Sequence, residues 1–258
     1  MELGAPVGRL DGKVVLVTGA GQGIGQGIAF AAAAEGARIV AAGRTLDKVE
    51  KTADEARARG VDALAVQVDV RRRDEVDACV SAALDAFGRI DGLVNNAMMV
   101  SLGPVMDITE KDARRTWESG FLGTLWCMQA AHDALVQSKG SVVNLGTGSA
   151  LRPDPAGFAL YAGTKEMVRT LTRAAAVEWG GDGVRVNAVI PNGMSPGLQM
   201  WSQFAPEEFE TFVASVPLGR VGDLEKDVGR AVAFLLSDDA RYVTGTTLMA
   251  DGGQAYLR

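Results

Sequence analysis

The chain has 258 residues, a formal net charge of −6 at pH 7 and a pI near 5.0, a balance that argues against a basic nucleic-acid surface or a face for anionic membranes. Its 47% hydrophobic and 22% charged residues are those of an ordinary globular domain, at a length that one α/β core can fill. Two cysteines, Cys79 and Cys127, lie in apolar helical patterns, and the single histidine, His132, has no cluster around it. Neither a disulfide nor a metal site is therefore expected. Residues 1–8 lack a charged and then apolar leader pattern, and no apolar run would span a bilayer, so a cytoplasmic location is expected.

Residues 14–17, Val-Val-Leu-Val, predict a strand buried on both faces. Thr18-Gly-Ala-Gly-Gln-Gly-Ile-Gly25 follows, then a helix through 28–35. A strand feeding a glycine turn feeding a helix presents free N–H groups and a positive helix end to a phosphate. No Gly-Lys-Ser/Thr closes the turn, so a mononucleotide P-loop is excluded. The spacing is Thr-Gly-x-x-x-Gly-x-Gly, which G-x-G-x-x-G fits only imperfectly.

Residues 37–42 read as the second strand, and Thr45 is placed to cap a helix over 48–59 that stops at Gly60. Residues 63–68 form a third strand ending at Asp69. Arg71-Arg-Arg73, followed by Asp74 and Glu75, reads as the solvated entry to an amphipathic helix over 74–87, with Val76, Cys79, Val80 and Leu84 on one stripe. A short strand at 93–94 precedes Asn95-Asn-Ala97, and one long helix is expected over 110–136. Further strands fall at 141–145, 184–190 and 246–249, with helices over 158–179 and 228–236. Residues 192–217 read as an irregular substrate loop with one short helix opened by Pro206. Seven strands alternating with helices predict a single-domain α/β chain over 1–258. Its fold would be Rossmann-like and doubly wound, a seven-stranded parallel sheet flanked by helices, with ligands at the strands' carboxyl ends.

Thr18–Gly25, Asn95-Asn-Ala97, Tyr161-Ala-Gly-Thr-Lys165, Pro217-Leu-Gly-Arg220 and Val243-Thr-Gly to Asp251-Gly-Gly together resemble the short-chain dehydrogenase/reductases, in the family's order over residues 10–253. The position where NAD users place an acidic residue for the ribose hydroxyls is Gly43 here, with Arg44 next. Glycine leaves room for a 2′-phosphate and arginine can bind one bidentately, so NADP(H) is expected, with NAD(H) left open. Gln22 stands where NADP users often carry another base. The resemblance implies a coenzyme site of Gly19, Gln22, Gly23, Ile24, Gly25, Arg44, Asp69, Val70, Asn96, Ala97 and Pro191, completed by Tyr161 and Lys165. Asn95 and Ile190 would lie close by.

Tyr161 and Lys165 are four apart and share a helix face. A phenol, with a reference pKa of about 10, is a poor base at neutral pH. A neighbouring ammonium and a positive nicotinamide would favour its ionised form. The resemblance makes Tyr161 the acid/base and Lys165 its tuner and ribose ligand. Three departures stand out. Thr147, with Ser149 as rival, replaces the serine that polarises the substrate carbonyl; Gly120 replaces a helix asparagine; Met98 and Asn192 replace glycines near the reacting centre. Met98, Met99, Met194, Leu198, Met200, Trp201 and Phe204 are expected to gather over the nicotinamide, with no lysine or arginine in 192–212. A small apolar ketone or secondary alcohol is the expected substrate. A non-redox lyase or isomerase and a catalytically silent dinucleotide binder are the alternatives. The resemblance also implies a homotetramer, pairing helix faces around 110–136 and 158–179, with Tyr256-Leu-Arg near an interface.

Overall fold

Val14–Thr18 (β1) is buried at every position, Val14 and Leu16 packing into one apolar cluster and Val15 and Val17 into another. This two-sided burial is what a central parallel strand requires, because its side chains alternate between faces. The computed structural model describes residues 8–152 and 157–255. The tail Tyr256-Leu-Arg lies outside the described residues, as does most of the stretch read above for a leader.

After β1 come α1 (Gly23–Ala34), β2 (Arg38–Gly43), α2 (Leu46–Ala58), β3 (Ala63–Gln67), α3 (Arg73–Phe87) and β4 (Gly92–Asn95). The second half holds α4 (Glu110–Trp117), α5 (Gly123–Ser138), β5 (Ser141–Leu145), α6 (Ala159–Trp179) and β6 (Arg185–Pro191). It closes with α7 (Pro196–Phe204), α8 (Pro206–Ala214), α9 (Arg230–Leu236) and β7 (Thr247–Ala250). All seven strands form one parallel sheet in the order β3-β2-β1-β4-β5-β6-β7. One face carries α1, α2 and α9 through Ile28, Val49 and Leu235; the other carries α3, α5 and α6 through Val76, Met128 and Ala175. The result is the single-domain, Rossmann-like doubly wound fold. Among the described residues no helix is long and apolar enough to cross a membrane.

The chain reverses its winding direction between β1 and β4, so their tips diverge and open a crevice. Thr18 ties the tips together. Its hydroxyl donates to the Val94 carbonyl (3.2 Å) and accepts the N–H groups of Asn96 (3.0 Å) and Ala97 (3.1 Å). Asn96 answers with its carboxamide, donating to the carbonyls of Thr18 (3.0 Å) and Gly19 (3.2 Å). Two glycines make the approach possible. Gly19 has φ +67°, and a Cβ on Gly25 would lie 2.4 Å from the Gly19 oxygen.

Several local expectations are corrected. Thr45 sits at the N-cap of α2, but its side chain accepts no capping bond. The helix expected over 110–136 is interrupted by a π-helical turn at Glu118–Leu122, where Ser119 and Thr124 hydroxyls donate to the carbonyls of Arg115 (2.8 Å) and Gly120 (2.7 Å). The 192–217 stretch holds two helices rather than one. The missed one, α7, is opened by Ser195, whose hydroxyl accepts the Leu198 N–H, with Pro196 in the first turn.

Thr18→Val keeps the side-chain shape and leaves the Asn96 and Ala97 N–H groups without their acceptor. The expected cost is about 2 kcal/mol, read as a lower urea midpoint at unchanged slope. An unchanged midpoint would refute the tie.

Candidate functional site

A cavity of about 450 Å³ opens at the carboxyl ends of the strands. Gly19, Gln22, Gly23 and Ile24 line it from the glycine turn, Arg44 from the end of β2, and Asp69 and Val70 from the end of β3. Asn96 and Ala97 follow β4, Pro191 ends β6, and Tyr161 and Lys165 reach in from α6. Of the predicted site residues, Gly25 and Thr147 are not in the wall. Gly25 is buried beneath the turn, and Thr147 is buried next to the wall in the loop after β5, with its hydroxyl toward the Tyr161 phenol. Asn96 lines the crevice, but its carboxamide hydrogens are engaged with the turn's carbonyls, so it positions the glycine turn.

The turn fits a dinucleotide's phosphates: Gly19, Gly21 and Gly23 keep side chains out of the cavity wall where α1 presents its N-terminus. At the β2 end Gly43 lines the cavity with no side chain, and two cations line it as well. Arg44 Nη1 lies 3.1 Å from the Met99 sulfur, and Lys48 Nζ donates to Gln22 Oε1 at 2.6 Å. Lys48 was not singled out from the sequence. Its signal was available: it follows Arg44 by four residues in the first turn of α2. Asp69 is bound by Arg71 at 2.5 Å, and that hydrogen-bonded guanidinium holds its carboxyl below the usual range.

At the other end, Tyr161 is half-buried. Burial pushes its phenol up, while a hydrogen bond with the Thr147 hydroxyl opposes the rise. Lys165 Nζ is buried and donates to the Leu145 carbonyl at 2.6 Å; burial lowers its ammonium to about 8. The depression of the phenol expected from Lys165 is not what these side chains produce, because burial dominates. Ser149 meets Thr147 through its backbone, donating its N–H to Thr147 Oγ1 at 3.3 Å, and of the two hydroxyls it is that of Thr147 that opposes the rise at Tyr161.

The two departures at 98 and 120 prove to be one. A Cβ on Gly120 would lie 2.6 Å from Thr164 Cγ2 and 3.0 Å from Met98 Cε. The methionine fills the notch that the glycine leaves in the π-helical turn, and both Met98 and Met99 line the cavity. The rest of the predicted apolar cluster does not converge there. Met200 and Phe204 are 63% and 87% exposed, and Trp201 turns away to pack on Phe209 and Phe212 at 5.5 and 5.2 Å between ring centroids. Ser195, Pro196 and Gly197, also unforeseen, bring the start of α7 onto the cavity, with Pro196 Cδ 3.1 Å from where a Cβ on Gly23 would stand.

A glycine turn at the winding switch, facing a half-buried tyrosine and a buried lysine across one crevice, is the arrangement of a nicotinamide-dependent oxidoreductase. The family described as enoyl-(acyl carrier protein) reductase matches residues 19–255. The 12α-hydroxysteroid dehydrogenase of a Clostridium species is 38% identical, covering 96% of this chain and 98% of that protein. Meso-2,3-butanediol dehydrogenase of Serratia marcescens is 37% identical, with 95% of each chain covered. The 3-oxoacyl-[acyl-carrier-protein] reductase of Staphylococcus aureus is 35% identical, with 93% of this chain and 97% of that protein covered. A short-chain type dehydrogenase/reductase structure from Mycobacterium ulcerans superposes with a TM-score of 0.89 at 31% identity, over 95% of this chain and 90% of that one. The chain belongs to the short-chain dehydrogenase/reductases. It is an NAD(P)-dependent enzyme acting on CH–OH and C=O groups.

Gly120→Ala drives a methyl into Thr164 and Met98, with an expected loss of about 1–3 kcal/mol. Met98→Ala in the same chain should return part of that loss, giving a non-additive double-mutant cycle by chemical denaturation. Strict additivity would show that the two residues are not packed as one unit.

Proposed function

We propose that the protein uses NADP(H) to interconvert a ketone and a secondary alcohol, with Tyr161 as acid/base, Thr147 holding the substrate oxygen and Lys165 supporting the phenol and a ribose. The observation that carries this reading is that Tyr161 and Lys165 line one cavity from the same face of α6, with Lys165 buried and anchored to the Leu145 carbonyl at 2.6 Å. Bound NADP(H) supplies or accepts the hydride. In reduction, the Tyr161 hydroxyl gives its proton to the carbonyl oxygen, while the Thr147 hydroxyl donates a hydrogen bond to that oxygen and polarises it. In oxidation the phenol takes the proton back. Burial raises the phenol, so at neutral pH it is protonated and ready for the reductive direction.

The preference for NADP(H) is supported by Arg44 and Lys48 on the cavity beside Gly43, where a 2′-phosphate would meet two cations and no carboxylate side chain at the end of β2. A relative that reduces 3-oxoacyl groups and others that oxidise alcohols are in keeping with carbonyl–alcohol chemistry. The segment over 192–217 is the one we assign to the substrate, and the start of α7 reaches the cavity beside the glycine turn.

Titration should give tighter binding of NADPH than of NADH, and Arg44→Ala should lower NADPH affinity about tenfold or more while changing NADH little. Equal affinities in the parent protein would overturn the coenzyme assignment. Tyr161→Phe should abolish coenzyme oxidation with every ketone, and retention of turnover would remove Tyr161 from the chemistry.

The pH profile gives a further check. The Lys165 ammonium is present below about 8 and is lost as pH rises through that value, while the phenol stays protonated to higher pH. The kcat/KM of ketone reduction is therefore expected to fall above pH 8 with a single-proton slope. A profile flat to pH 10 would refute a role for the charged Lys165.

A further inference from the structure

Both cations at the β2 end of the cavity rest on neutral acceptors. Lys48 is held by the Gln22 carboxamide, and among the described residues the Arg44 guanidinium gives one hydrogen bond, to the Met99 sulfur at 3.1 Å. Asp69, the carboxylate within reach of its charge, is engaged by Arg71 at 2.5 Å. A thioether is a weak acceptor. The contact therefore joins the β2 end of the cavity to the segment after β4 while leaving Arg44 ready to move to a stronger acceptor.

Met99 is anchored behind and open in front. Its N–H donates at 2.9 Å to the hydroxyl of Ser119, a buried residue of the π-helical turn, while its side chain lines the cavity and its contact with Arg44 is exposed. The neighbouring Met98 packs its sulfur into the notch at Gly120, 3.3 Å from where a Cβ would stand. Met106 and Met200 are 92% and 63% exposed, but neither lines this cavity. Cys79 and Cys127 are buried with their thiols pushed up, Cys79 to about 12, and so offer an oxidant no thiolate. A peroxide entering the cavity thus meets a thioether already bonded to a cation of the coenzyme site. The sulfur lone pair takes one oxygen from hydrogen peroxide: the S–O bond forms, the O–O bond breaks and water leaves, so sulfur is oxidised and the peroxide reduced. The sulfoxide oxygen is a far better acceptor, and its hydrogen bond from a guanidinium is charge-assisted.

We propose that Met99 is an oxidation site that regulates the coenzyme cavity. As a thioether it yields Arg44 to the 2′-phosphate of NADP(H); as a sulfoxide it keeps Arg44 and weakens NADP(H) binding. NAD(H), with no 2′-phosphate, loses little. This rests on the NADP(H) preference proposed above. The change is reversible, because reductases return methionine sulfoxide to the thioether.

The test titrates the full chain with NADPH and with NADH by coenzyme fluorescence, before and after hydrogen peroxide, with peptide mass mapping of the oxidised methionines. Oxidised at Met99, the protein should bind NADPH about tenfold more weakly and NADH within about twofold of its untreated value, and methionine sulfoxide reductase should restore NADPH binding. Met99→Leu still oxidises at Met106 and Met200 and should keep its NADPH affinity through the treatment. Arg44→Ala, with no guanidinium to hold, should keep its own weaker affinity as well. Met99 left intact while Met106 is oxidised, or NADPH affinity that oxidation at Met99 leaves unchanged, overturns this assignment and leaves the coenzyme preference standing. A fall shared equally by NADH, by Met99→Leu or by Arg44→Ala does the same. Equal affinities for NADPH and NADH in the untreated parent overturn the coenzyme preference, and this assignment with it.

Discussion

The Thr18 hydroxyl and the Asn96 carboxamide hold together the one place where a doubly wound sheet would otherwise come apart. Winding away from β1 in both directions leaves the tips of β1 and β4 with backbone groups that no neighbouring strand can pair. A single hydroxyl serves two N–H groups and one carbonyl there, and the carboxamide serves two carbonyls of the glycine turn. The turn therefore has a fixed position relative to β4, and the phosphate-facing edge of the cavity inherits it. Gly25 is required by the same tie, since any side chain would strike the Gly19 carbonyl and Asn96 at once.

The reacting end shows how two unusual residues can compensate. Gly120 in a helix interior costs about 1 kcal/mol relative to alanine, and a methionine on the cavity wall is bulky. Packed against each other, the methionine supplies the volume the glycine lacks, and the π-helical turn gives it a seat. Thr124 takes up the Gly120 carbonyl in the same turn, so the wider backbone is not left unpaired. What the pair does not supply is a polar side chain behind Lys165, whose nearest bond is to the Leu145 carbonyl.

Most of the fold could be read in the residues because parallel strands are apolar runs and glycines mark their ends. Val14-Val-Leu-Val17, Ser141-Val-Val-Asn-Leu145 and the glycine turn are local signals, and the structure places strands and turn there. Most of the predicted coenzyme residues gather on one cavity for the same reason, since they sit at or just past strand ends, while Tyr161 and Lys165 reach it from α6 and Gly25 lies beneath the turn. What escaped depends on partners distant in the chain. Lys48 faces the cavity only because α2 packs beside the turn. Trp201 turns away only because α8 offers Phe209 and Phe212. Composition made residues 192–217 look like the wall of an apolar pocket, when Met200 and Phe204 are exposed.

Charge in the crevice follows the same division between local and assembled effects. Four-residue spacing puts Tyr161 and Lys165 on one face, and spacing alone suggests that each ionises the other. Burial instead pushes both toward their neutral forms, raising the phenol and lowering the ammonium to about 8. The Thr147 hydroxyl offsets part of the rise at the phenol, and the Lys165 ammonium is held by the Leu145 carbonyl. In a site of low polarity a positive charge arriving nearby shifts the phenol far more than it would in water. On the proposed reading, oxidation of an alcohol therefore awaits the cationic form of the coenzyme, whereas reduction uses the protonated phenol that burial already favours. The same desolvation that makes Tyr161 a poor base alone thus makes its basicity depend on which form of coenzyme is bound.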